Sequence, residues 1–155
     1  MDVSPGSKPS PLSPSDLEAI TRALTDSGQF GEPIGPHVRG LQAPATRESA
    51  FYRLLDHPDG RFVSLVTSDR WLSQSIEQQL VISGDKLEDL LEEELIDLDS
   101  PVTRLKVDHF RDDDKLFTFR SPVPPGSSVA AIGLILRGYE ACFRRLGDME
   151  GGDEG

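Results

Sequence analysis

Apolar residues recur along this chain with two periods, close to three-and-a-half and close to two, and the changes between them outline a fold. Leu17, Ile20 and Leu24 fall at spacings of three and four, so they share one face of a helix. Two overlapping start signals precede them: Ser13-Pro14, with proline at the first helical position, and Ser15-x-x-Glu18, a capping-box pattern. Gly28 is placed to close this helix. Residues 31–45 are rich in Gly and Pro and predict a loop with one short edge strand at His37 to Gln42. Phe51 to Leu55 and Arg61 to Thr67 are strand-like runs on either side of Pro58-Asp59-Gly60, which has turn chemistry, so a hairpin is predicted.

Ser68 or Asp69 can cap a helix carrying Trp71, Leu72, Ile76 and Leu80, while the run LVISG at 80–84 fits strand or helix equally. A further helix begins near Asp85, with Leu87, Leu90, Leu91 and Leu95 as its buried stripe. Glu88, Asp89, Glu92 and Glu93 cover its other side, and Pro101 stops it. Leu105, Val107 and His109 then alternate with Arg104, Lys106 and Asp108, and Phe117 and Phe119 alternate with Leu116, Thr118 and Arg120. These two runs predict a second hairpin tipped by Asp112, Asp113 and Asp114 and ended by Pro122, Pro124 and Pro125. The last helix is the clearest: from Val129, apolar residues stand at 132, 136, 139, 143 and 146. Ile135 and Cys142 widen this seam, Gly133 permits a close backbone approach, and Ser127 or Ser128 is the natural N-cap.

The layout is αβββαββα, which predicts one α+β domain: an antiparallel sheet of roughly four to five strands with helices packed on it. Residues 1–13, rich in Pro and Ser, read as a disordered lead-in, residues 14–147 as the domain, and residues 148–155 as a flexible acidic tail.

Charge narrows the range of partners. Sixteen basic residues against 27 acidic ones give a net charge of −11, which disfavours nucleic acid and anionic membrane surfaces and favours a basic or amphipathic polypeptide. No apolar run approaches the roughly 20 residues of a membrane span. The N-terminal MDVSPGSKPSPLSPSD lacks the pattern of a secretory signal, so a cytoplasmic location is expected. The single cysteine, Cys142, permits no intrachain disulfide.

Candidate chemistry is sparse. Asp108, His109 and Asp112 to Asp114 invite a metal reading, but the aspartates lack calcium-loop spacing and no second His or Cys is near. They read as a solvated turn beside a structural histidine. The carboxylates of 88–99 lie on a solvated helix face, Cys142 falls within an apolar band, and His37 and His57 fall in a loop and a turn. Neither a nucleophile elbow nor a phosphate-binding loop is present in the sequence. No catalytic residue, cofactor or metal ligand is therefore assigned. Trp71, beside the Leu72–Ile76–Leu80 stripe, is either a large core residue or an interface anchor. Trp71, Leu72, Ile76, Leu87, Leu90 and Leu91 form the candidate surface for a protein partner or a homodimer. The alternatives are an enzyme or small-ligand binder with a pocket between the terminal helix and the sheet, and a subunit whose role is assembly alone.

From LEDLLEEELIDLDSPVTRLKVDHFRDDDKLFTFRSPVP through IGLILRGYEACFRRL, the chain resembles the type III secretion chaperones and the related YbjN family of bacterial proteins. The likeness consists of a leucine-rich helix, a strand pair with an acidic turn, a proline-closed end and a long terminal helix. It implies an antiparallel sheet covered by helices on one side, and a non-enzymatic role, chaperone-like or regulatory. Secretion chaperones typically act as homodimers that hold an extended partner segment on apolar patches. No functional residue carries over from the families to a position here.

Overall fold

A computed structural model describes residues 12–30, 34–37, 40–44, 50–57, 60–112, 115–144 and 146, with the backbone alone at Pro36, His37, Pro44 and His57. Residues 1–11 of the predicted lead-in, the acidic tail 148–155 and the tip residues Asp113 and Asp114 lie outside the described residues. The order is α1 (Pro14–Ser27), β1 (Gly35–His37), β2 (Gly40–Pro44), β3 (Ala50–His57), β4 (Gly60–Thr67), α2 (Arg70–Ser83), α3 (Leu87–Asp97), β5 (Asp108–Arg111), β6 (Phe117–Pro122) and α4 (Val129–Arg144). The strands form one antiparallel sheet in the order β1-β2-β3-β4-β6-β5. The α+β architecture is therefore as the periodicity predicts.

Three local details differ. The capping box of α1 pairs Ser13 with Asp16, because proline at the first position sets the N-cap two residues before Ser15. The single edge strand predicted at His37 to Gln42 is instead two short strands that pair with each other, so the sheet gains a sixth strand. The strand predicted along the alternating run from Arg104 shortens to Asp108–Arg111, and 102–107 crosses as irregular chain. Here Glu88 accepts a hydrogen bond from the Val107 amide, and Arg104 pairs with Asp89 and Glu92, so α3 supplies partners that a ladder would otherwise have provided.

Register assigns each sheet residue to a face. Ala43, Tyr52, Leu65, Phe119 and His109 stand in one row across the sheet, next to a row containing Leu41, Leu54, Val63 and Ser121. This is the face on which α4 lies: Phe143 packs on Phe119 with centroids 5.2 Å apart, and the Tyr139 and Ser121 hydroxyls are 2.6 Å apart. α1 and α3 flank α4, and the core fills the space between them with Ile20, Leu24, Leu91, Leu95, Ile132, Ile135 and Leu136. The opposite face carries Phe51, Leu55, Phe62 and Phe110 together with Arg53 and Arg120. Arg120 lies over both Phe62 and Phe110, 4.1 and 4.9 Å from their centroids, and so shields part of this face with its own side chain.

Two glycines set the helix spacing. A Cβ on Gly133 would meet Ala23 of α1 at 3.7 Å, an ordinary contact, whereas one on Gly138 would stand 2.5 Å from a Leu95 methyl of α3. Gly133→Ala should therefore stabilise the fold by about 0.5–1 kcal/mol through helix propensity. Gly138→Ala should forfeit that gain, and Gly138→Leu should cost about 1–3 kcal/mol by overpacking. Urea unfolding of the three variants gives the comparison.

Candidate functional site

α2 begins where Asp69 accepts hydrogen bonds from the Trp71 and Leu72 amides, and it ends at Gly84, whose positive φ lets it close the helix. The run LVISG is thus helical up to its glycine. Leu72 and Ile76 are fully buried, and Leu80 packs partly on the core. The partner surface predicted around them needs correction. Leu72, Ile76, Leu87 and Leu91 are core residues and Leu90 is half-buried, because the stripes of α2 and α3 turn inward to roof their own domain.

Trp71 goes the other way. It is 72% exposed rather than a core residue, and Val81 and Ile82 on the same helix are 80% and 75% exposed. Trp71 and Ile82 stand about three turns apart and so share one helix face. Ile96 of α3 is the fourth large apolar side chain that is exposed among the described residues.

On its inner side α2 meets the β5–β6 ribbon across a groove of about 390 Å³. Ser73, one turn into the helix, and Glu77, one turn later, both face His109 of β5. The Ser73 hydroxyl is 3.2 Å from His109 Nε2, and Glu77 Oε2 is 2.8 Å from Nδ1. The imidazole is stacked on Phe119, with centroids 3.9 Å apart and planes 8° from parallel, which fixes its tilt. Since an ionised carboxylate only accepts, Nδ1 carries the proton toward Glu77, and the Nε2 lone pair accepts from Ser73 O–H. Burial pushes the His109 pKa below its ordinary value, and the neighbouring Glu77 carboxylate opposes that shift without cancelling it. Arg70, Gln74, Phe110, Arg111 and Phe117 complete the groove, with the Arg111 guanidinium 5.2 Å from the Phe117 centroid.

The sequence predicts a structural role for His109, and the residue does tie α2 to the sheet; its two partners are not foreseen. The only sequence signal for them is a Ser and a Glu four residues apart on a helix, which is too common to single out. Between the terminal helix and the sheet, where a pocket is the predicted alternative, Tyr139, Phe143 and Phe119 are buried, and Phe143 packs on Phe119. A second hollow of about 290 Å³ lies between α1 and the β1–β2 edge, bordered by Leu17, Thr21, Ile34 and Leu41. Cys142 is buried, as its place in the apolar band implies. Among the described residues no cluster of three His, Cys, Asp or Glu side chains could hold a metal ion, and no helix is long and apolar enough to cross a membrane.

The lowered His109 pKa has a measurable consequence. Below an unfolded value of about 6.5 the unfolded chain binds a proton that the folded chain resists. This residue's contribution should be fully present above that pH and be lost as pH falls toward the folded pKa. In urea titrations of wild type and His109→Gln across that window, the stability difference between the two should shift against wild type as pH drops, and stay constant above it.

No family model, curated protein or solved structure matches the chain.

Proposed function

We propose that the protein is a cytoplasmic polypeptide-binding module, chaperone-like or regulatory, that holds a basic amphipathic segment on the outer face of α2. The observation that carries this reading is the exposure of Trp71, Val81 and Ile82 on that one helix. Large apolar side chains gathered on a surface favour removal from water, and tryptophan is the residue most often found to dominate such contacts. Gln78, exposed between Trp71 and Ile82 on the same face, adds an uncharged amide able to donate and accept hydrogen bonds. The surroundings supply the sign of the partner. The net charge is −11, and one of its acids, the exposed Asp85, directly follows the end of α2. A helical segment with lysine or arginine beside its apolar stripe satisfies both features.

The one-sided covering of the sheet agrees with what the resemblance to secretion chaperones and YbjN proteins implies. Binding of a second copy through the same helix face would be the homodimeric form of this reading. A second reading, a small-ligand site or an enzyme, is favoured by the histidine groove on the inner side of α2.

Because Trp71, Val81 and Ile82 are exposed, Trp71→Ala and Val81→Asp/Ile82→Asp should change stability by no more than about 0.5 kcal/mol per site. Affinity purification from the native host should recover a partner with wild type and lose it at least about tenfold with either variant. Light scattering on the same samples separates self-association from a foreign partner. Equal recovery by wild type and both variants, with wild type monomeric at high concentration, would refute the proposal.

A further inference from the structure

We infer that Ser73, His109 and Glu77 form an acyl-transfer site that hydrolyses small carboxylic esters entering the groove between α2 and the β5–β6 ribbon. This rests on the inner side of α2 and is independent of the binding proposed for its outer side. The relay has the three parts that nucleophilic catalysis requires: a hydroxyl, a base within hydrogen-bond reach of it, and a third group that orients the base. The two separations, 3.2 and 2.8 Å, are of hydrogen-bond size, and the Nδ1–H···Glu77 contact directs the free lone pair at the Ser73 proton. Ser73 lines the groove as a buried residue, 3% exposed, and the His109 side chain beside it keeps 27% of its surface open.

The chemistry balances with water as the only co-reactant. Ser73 Oγ attacks the ester carbonyl carbon as its proton passes to His109 Nε2. The bond to the leaving oxygen then breaks, and that oxygen takes the proton from His109 and departs as the alcohol. Water adds to the acyl-serine, giving a proton to Nε2. Ser73 leaves with that proton restored and releases the carboxylic acid. The Ser73 amide is already committed to the Asp69 carbonyl at 3.2 Å, so charge on the tetrahedral oxygen falls to side chains. Arg70 and Arg111 are the cations among the residues that line the groove, and Arg111 is held against Phe117. A volume of about 390 Å³ is at the small end for ligand sites, which fits a short acyl group against the Phe117 ring. Glu77 acts through His109 and is a positioning residue.

The full-length chain should be treated with a fluorophosphonate probe, with the adduct mapped by mass spectrometry, and assayed on 4-nitrophenyl acetate and butyrate. An adduct on Ser73 and steady turnover are expected. Ser73→Ala should abolish both, and His109→Gln should slow turnover by about a hundredfold or more. Glu77→Gln should lower kcat with KM nearly unchanged. It should also move the acid limb of the kcat/KM profile to lower pH, since the carboxylate that holds the imidazole pKa up is gone. A purely structural Glu77 would leave that limb in place. If Ser73→Ala folds poorly, Ser73→Cys keeps a nucleophile of similar shape, and an acyl adduct at position 73 then decides the matter. No adduct at position 73 in the folded protein, or hydrolysis by a folded Ser73→Ala at the wild-type rate, overturns the inference.

Discussion

The contact on which the rest of the molecule depends is the laying of α4 across β3, β4 and β6. Phe143 packs its buried ring on Phe119, Tyr139 packs on Phe143, and the Tyr139 hydroxyl meets Ser121. That hydroxyl is removed from water, and burial drives its pKa far upward, so it stays protonated and hydrogen-bonded. Losing a buried aromatic of this kind typically costs about 3–5 kcal/mol, a large share of a small domain's stability. Once α4 is seated, its two glycines admit α1 on one flank and α3 on the other. The remaining helix, α2, is attached through Leu72, Ile76 and the Ser73–His109 contact, and its outer face is left to solvent.

Polar groups in the core fix which way the helices sit. Glu140 is almost wholly buried in α4, yet it accepts from the Gln29 amide and from Arg144, and Gln29 in turn accepts from Arg137. A buried carboxylate without such donors would be strongly destabilising, so these bonds favour one placement of the chain after α1 over its alternatives. The Tyr52 hydroxyl, close enough to feel Glu140, has no hydrogen-bond partner among the described residues, and burial again raises its pKa. Its ring nevertheless meets Phe30 edge-on, so the apolar body of the side chain carries the packing.

Much of this architecture was legible because each element has a single dominant period. The seam at 132, 136, 139, 143 and 146 buries as a unit, and the two strand-like runs 51–55 and 61–67 pair antiparallel as predicted, with the turn residues Pro58 and Asp59 outside the described residues. What the sequence hid was tertiary. A leucine stripe announces burial but not against what, so Leu72, Ile76, Leu87 and Leu91 read equally well as an interface or as a roof over their own core. Trp71 lies one residue beyond such a stripe, where a rotation of about 100° separates core from solvent. Val81 and Ile82 sit in a run whose period does not distinguish strand from helix. The histidine site was less legible still, since Ser73 and Glu77 gain meaning only when β5 places an imidazole 36 residues away in the chain between them.

The two proposed sites share one helix. Trp71 and Ser73 are two positions apart, roughly 200° around α2, so one points to solvent and the other to the groove. The hydrogen bonds that link His109 with Ser73 and Glu77 tolerate only a few tenths of an ångström before they weaken. If both proposals hold, a segment that docks on Trp71 and Ile82 and displaces α2 would act on the relay without touching it. By linkage, a ligand in the groove would then change the affinity of the outer face by the same factor. The imidazole between Glu77 and Ser73 and the exposed Trp71 therefore lie on opposite sides of one helix.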